Sequence, residues 1–462
     1  MHYSIFIFEI KNFFSKENIS FKRTEKFKIM SLLANTEKVL NFLDENNEVR
    51  KEYHRLLEAS NLNSAVPPFF SSNSSGQQMV YSAVMKLTKD NILSTMRKQY
   101  PRIMDINNLR IEFQKMKFQA SPKYMKYSEY CALKQKWPEK YSNYLTSKLF
   151  FDLSIPQFHT IRPEDLYMHL SIQSVALTFY HKLMQIDKKN KGALTKTKFS
   201  LFVRDISSRF PFMENIIKTY AEDGQSMYIV FVTEKFFTEL DPLQTGTISI
   251  QKIISSELFL ELIKLEIDRQ NNRSTKNIFC EQLALLYFDD FYDMDTDEDG
   301  ILAKDDLLHM PSTRFTESFV NRLFDSMILS EVFDFSWFCR FKSAYNNLGK
   351  PWANQIFFDI LDIDNNGEIN ETEMNYFFHD LSRDFSEFFK RDPPSFKDYI
   401  NELRDSCSIT NSIAKSEFIQ SKESYKLVKH LVDLKAYAKW ECGEDIPARS
   451  DCEEDENSSI SS

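Results

Sequence analysis

Four twelve-residue stretches place oxygen-bearing residues where they could surround a metal ion: 187–198 (DKKNKGALTKTK), 241–252 (DPLQTGTISIQK), 295–306 (DTDEDGILAKDD) and 362–373 (DIDNNGEINETE). Each has Asp first, Gly sixth and Leu or Ile eighth. Oxygens at positions 1, 3, 5, 7, 9 and 12 of such a loop can enclose a hard divalent cation, with Gly allowing the sharp turn and the eighth residue pairing with a neighbouring loop. In 362–373, Asp362, Asp364 and Asn366 offer side-chain oxygens and Glu368 its carbonyl. Asn370 can bind directly or through water, and Glu373 is the two-oxygen clamp, so this stretch matches the calcium-loop pattern in full. The stretch 295–306 supplies Asp295, Asp297, Asp299 and the carbonyl of Ile301, but ends on Asp306. A shorter carboxylate reaches the ion less easily with both oxygens, which predicts weaker Ca2+ binding or more Mg2+-like coordination.

The other two stretches put Lys189, Lys191 and Lys198, or Leu243, Thr245 and Lys252, at ligand positions. Cations there repel calcium, so both read as EF-hand units that keep their helices and have lost the site. The flanking residues agree with helix–loop–helix units. Phe357, Phe358 and Leu361 precede the last loop on one helical face and Met374, Phe377 and Phe378 follow it; Leu183 and Ile186, then Phe199, Phe202 and Val203, do the same around the first. Three more segments read as further eroded units: 158–166, 331–338 and 411–418. Aligned on the eighth position, Ile161 precedes Leu194 by 33 residues and Phe333 precedes Ile369 by 36, close to the step between paired units, while Ile413 trails Ile369 by 44. The fold class expected is therefore all-α: multiple EF-hand helix–loop–helix units, two with intact calcium loops and several degenerate.

Composition supports helices and removes most enzymes. The 462 residues hold only 8 Gly, against 42 Phe and 20 Tyr, which disfavours glycine-rich sandwiches and doubly wound folds. There is no GxGxxG, no GxSxG and no Gly-Asp or Gly-Asn pair of the kind metallophosphatases use. Gly349-Lys350 is followed by Pro351 and has Ala344 where a phosphate loop needs its first Gly. The six cysteines (131, 280, 339, 407, 442, 452) contain no CxxC and lie away from histidine at zinc spacing, so reduced thiols and a cytoplasmic setting are expected. The opening MHYSIFIFEIKNFF is interrupted by Glu9 and Lys11, giving neither a signal peptide nor a membrane span.

The expected organisation is a helical N-terminal arm (1–60), a Ser/Asn/Pro-rich linker (61–80), a basic helical segment (81–141), a degenerate EF-hand domain (142–270), a calcium-binding EF-hand domain (271–440) and an acidic disordered tail (441–462). Most of the net charge of −9 belongs to that tail, so nucleic-acid binding is not indicated. Between Lys86 and Lys140, basic residues interleave with Tyr100, Phe113, Phe118, Tyr124, Tyr127, Tyr130 and Trp137. This pattern fits either an acidic partner or, as the preferred reading, the solvated face of ordinary helices.

KFFTELDPLQTGTI (235–248) with SSELFLELIKLE (255–266) resembles the B'' class of regulatory subunits of protein phosphatase 2A more than calmodulin-like proteins. YFDDFYDMDTDEDGIL (287–302), DILDIDNNGEINETEMNYFF (359–378), PPSFKDYINEL (393–403) and LVDLKAYAKWE (431–441) follow in the order of that family. The likeness covers about residues 140–445 and looks most like the gamma type and its plant relatives, with Asp306 standing where Glu is usual. It implies a non-catalytic subunit that docks on the phosphatase scaffold and catalytic subunits and tunes substrates and location, with calcium as modulator. Centrosomal or microtubule-associated partners, and a centrosomal, basal-body, cytoskeletal or nuclear site, belong to the same implication. The rival readings are an EF-hand calcium sensor and a cytoskeletal or centrosomal scaffold unrelated to the phosphatase.

Overall fold

With little glycine to break them, the apolar periodicities fold into helices. A computed structural model describes residues 100–442, apart from 116–123, 156, 188–190, 272–276, 311–312, 328–331 and 408–411. The expected arm (1–60), linker (61–80) and acidic tail lie outside the described residues, except for Glu441 and Cys442. Among the described residues there are eighteen α-helices, one 3-10 helix and six strands of two or three residues. In chain order the first elements are α1 (Ile103–Lys115), β1 (Met125–Lys126), α2 (Tyr127–Lys136), α3 (Ser147–Leu153), β2 (Thr160–Ile161), α4 (Pro163–Ile186), β3 (Ala193–Thr195), α5 (Lys196–Ser207), α6 (Met213–Leu240), β4 (Thr247–Ser249), α7 (Ile250–Ile254) and α8 (Glu257–Gln270). They are followed by α9 (Glu281–Met294), α10 (Lys304–Leu308), α11 (Glu317–Asp325), α12 (Phe335–Asn346), α13 (Pro351–Leu361), β5 (Glu368–Asn370), α14 (Glu371–Phe389), α15 (Phe396–Cys407), β6 (Ser412–Ala414), α16 (Lys415–Gln420), α17 (Ser424–Val432) and α18 (Leu434–Cys442). None of the described helices is long and apolar enough to cross a membrane.

The described residues form two compact units, one ending at 194 but including 249–277, the other made of 195–248 and the chain from 278. The division therefore differs from the expected boundary at 270/271, because α6 packs on α5, α9 and α12 and draws 195–248 into the second unit. In the first unit, α1 and α8 pack on α4, with the rings of Phe179 and Phe259 6.1 Å apart. Four aromatics of the basic stretch, Tyr100, Phe113, Tyr130 and Trp137, are buried, the last three joining Met125, Phe150, Ile161 and Leu166 in one core cluster, whereas Tyr127 is exposed. Long basic side chains can cover such a core while keeping their charges in water.

Strand pairing corrects the expected partnership of the eroded units. Ile161 pairs antiparallel with Met125, upstream of it, rather than with Leu194. In the second unit Phe333 serves the loop before it: its carbonyl accepts the Leu302 N–H at 2.9 Å, and Ile301 bridges Asp334. Ile369 then pairs with Ile413 across β5 and β6. Each acidic loop is thus backed by the eroded unit that follows it.

Candidate metal centre

A common scaffold underlies the four Asp/Gly loops. The first Asp ends the entering helix, and its two carboxylate oxygens accept the backbone N–H groups of positions five and six. The distances are 3.2 and 2.8 Å for Asp187, 2.9 and 2.8 Å for Asp241, 3.2 and 3.0 Å for Asp295, and 3.1 and 2.9 Å for Asp362. Position six is left-handed, with φ of 69° at Gly192 and 86° at Gly367, and so is position four at Gln244, Glu298 and Asn365. Two left-handed residues in one loop explain the Gly and the polar or flexible residue before it. This framework forms whether or not a cation can bind, since 241–252 keeps it without a ligand set.

Only the two acidic loops bring three carboxylates together within ligand reach among the described residues. Asp362, Asp364 and Glu373 have ligand oxygens within 4.8 Å of one another, as do Asp295, Asp297 and Asp299. At that distance each like-charged pair costs between about 1 kcal/mol in bulk water and about 3 kcal/mol at an effective dielectric near 20, so a divalent cation would relieve it. Burial, reinforced by the charges of Asp299 and Asp297 and opposed by hydrogen bonds from Gly300 and Asp299, raises the Asp295 carboxyl above its ordinary value. Asn366 Oδ1 accepts the Glu368 N–H at 2.8 Å, and Asp299 Oδ1 accepts that of Ile301 at 2.7 Å, so the fifth residue fixes the seventh, whose carbonyl is the expected ligand.

The twelfth position separates the two loops. Both residues cap the exit helix: Glu373 Oε2 accepts the Asn370 N–H at 3.0 Å, and Asp306 Oδ2 accepts that of Ala303 at 2.7 Å. Glu373 is buried, and its other oxygen crosses the loop to the N–H of Ile363 at 2.7 Å and of Asp364 at 3.4 Å. Asp306, one methylene shorter, stays at the cap and outside the group of three acids. Asn370 Oδ1 faces the N–H groups of Thr372 and Glu373 as the helix N-cap. The residues fit a calcium ion at 362–373, with Glu373 already folded into the loop, and fit one less completely at 295–306.

Sequence reasoning missed the residues that brace 362–373 from outside. Ser412 donates to the Glu368 carboxylate at 2.9 Å across β5 and β6, Lys415 pairs with Asp359 at 2.6 Å, and Arg404 pairs with Glu371. It also missed that Met125 belongs to a paired unit, although Glu129 caps the Lys126 N–H at 2.7 Å as Glu373 caps Asn370.

No family model matches the chain. The B'' subunit gamma of serine/threonine-protein phosphatase 2A from Homo sapiens and from Bos taurus is 25% identical over 335 residues, covering 70% of this chain and 71% of the relative. The probable B'' subunit TON2 of Arabidopsis thaliana is 23% identical over 217 residues, covering 44% of each. A solved PP2A PR70 holoenzyme chain aligns at 19% identity with a TM-score of 0.49, covering 57% of this chain and 98% of that one. By sequence this chain is similar to the B'' regulatory subunits of protein phosphatase 2A, the gamma type among them.

Proposed function

We propose that the chain is a non-catalytic B''-type regulatory subunit that docks on the scaffold and catalytic subunits of protein phosphatase 2A, directs the phosphatase to substrates or sites, and binds calcium through 362–373. The observation that carries this reading is the extent of the match to gamma subunits, 335 residues and 70% of the chain. Calcium binding is supported by the convergence of Asp362, Asp364 and Glu373. The loop 295–306 binds calcium more weakly or takes magnesium, since Asp306 stays at its helix cap. Bound calcium would neutralise the clustered carboxylates and order the loops; Asp362 and Glu373 would hold it while the exit helix α14 fixes the clamp.

The test is co-purification of the full chain with purified scaffold and catalytic subunits, in calcium and in chelator. The expected result is a ternary complex in calcium that chelation weakens only in part, because two of the four loops have no ligand set to empty. A folded chain that takes up calcium yet captures neither subunit at micromolar concentration would overturn the docking reading in favour of a calcium sensor.

A narrower measurement checks the twelfth position. Asp306→Glu should raise calcium affinity at 295–306 by about tenfold or more, because the added methylene lets the carboxylate turn inward from the Ala303 cap, as Glu373 does. Calorimetric titration reads it directly, and an unchanged or lower affinity would make this loop a structural one.

A further inference from the structure

Helix α11 touches the surroundings of both acidic loops, and we infer that it couples them, so that a cation held at 295–306 raises the affinity of 362–373. The inference rests on the cation-binding reading above and adds a regulation of that site. On one side, Phe324 stacks on Phe333 with centroids 5.4 Å apart, and the Phe333 carbonyl holds the N–H of Leu302, the eighth residue of 295–306. Lys304, the tenth residue of the same loop, donates to Asn321 Oδ1 at 2.7 Å and lies 5.9 Å over the Phe324 ring.

On the other side, Arg322 donates through Nε to the carbonyl of Ile360 and through Nη2 to the carbonyl of Asp362, each at 3.3 Å. Asp362 opens the second loop, and its carbonyl is among those that the end of α13 leaves without a helical partner. Phe319 lies parallel to Phe357 of α13 at 6.2 Å, and the Ser318 N–H is held by Asp380 of α14 at 2.9 Å. The nine-residue helix therefore bears on the strand partner of one loop and on both the entering and exit helices of the other.

The sign follows from ordering. Phe319, Val320 and Leu323 are almost fully buried, so α11 is set in close-packed surroundings that transmit a shift rather than absorb it. Ordering 295–306 steadies Phe333 and Phe324, and with them Arg322 on the backbone of Asp362. A second cation then meets a loop whose ordering cost is already partly met, which is positive coupling.

Calorimetric calcium titration of the full chain tests this as a double-mutant cycle. Asp297→Ala with Asp299→Ala removes two ligand side chains from 295–306 while leaving Asp295 and its backbone bonds. This pair of changes should weaken calcium at 362–373 by about fivefold or more, the range of ordinary coupling energies. In an Arg322→Ala background, and separately in Phe324→Leu, the same pair should alter that affinity by less than about twofold. A second readout needs no change in α11: in Glu373→Gln, calcium should still increase hydrogen-exchange protection of residues 317–325. A coupling factor of one in the parent, or a factor undiminished in both backgrounds, overturns the coupling while leaving calcium binding intact. A parent chain that takes up no calcium overturns the cation-binding reading itself.

Discussion

Glu373→Gln should remove one calcium equivalent, moving that site from the sensor range of about 10⁻⁷–10⁻⁵ M to millimolar or weaker. The substitution keeps the side chain's size and removes one of its two anionic oxygens. Glu373 is the only twelfth-position acid of the two acidic loops whose carboxylate both caps the exit helix and crosses to the entering side, reaching Asn370, Ile363 and Asp364. A neutral amide has one acceptor for these N–H groups, so the chelated variant should also lose about 1 kcal/mol of stability. The fold should survive, because Ile369↔Ile413 pairing and the buried faces of α13 and α14 do not depend on the carboxylate. Calorimetry counts the ions and thermal unfolding in chelator measures the stability. An unchanged stoichiometry with unchanged affinity would show that the ion, if bound, is held elsewhere.

The parts of this arrangement legible in the sequence are those in which one residue type is needed for one backbone task. Asp at position one and Gly at position six could be read because the first takes two backbone N–H groups and the second turns left-handed, and few residues do either. The pairing of units was less legible, since in the eroded segments it rests on single apolar residues such as Ile161, Phe333 and Ile413. Spacing alone put Ile161 with Leu194 and Phe333 with Ile369, whereas hydrogen bonds give Met125 to Ile161 and Leu302 to Phe333. Met125 was hidden by its basic neighbours, whose charge says nothing about the direction of Tyr130 or Trp137, both buried. Arg322 lay outside any motif. Its role comes from meeting the end of α13, a tertiary contact that a twelve-residue pattern does not contain.

Asp241→Ala should cost about 2–3 kcal/mol of folding stability, equally in calcium and in chelator. Asp241 is 6% exposed, and its carboxylate accepts the N–H groups of Thr245 and Gly246 and the Thr245 hydroxyl at 2.8–2.9 Å. Removing it leaves the turn without its charged acceptor, and hydrogen bonds to a charged group contribute about 1.5–3 kcal/mol. For a unit of this size the loss should lower the melting temperature by roughly 4–12 °C. Asp241→Asn retains one acceptor oxygen and should fall about midway between parent and Ala. The contrast with Glu373→Gln separates the two uses of one scaffold: there the larger effect requires calcium, here it does not. The reason is that 241–252 offers Leu243, Thr245 and Lys252 where ligands would stand, so Asp241 serves the loop's own N–H groups and the Thr245 hydroxyl. Thermal unfolding of the full chain in calcium and in chelator reads the difference. A penalty confined to calcium would mean that this loop binds the ion after all, and its assignment as a purely structural unit would fall.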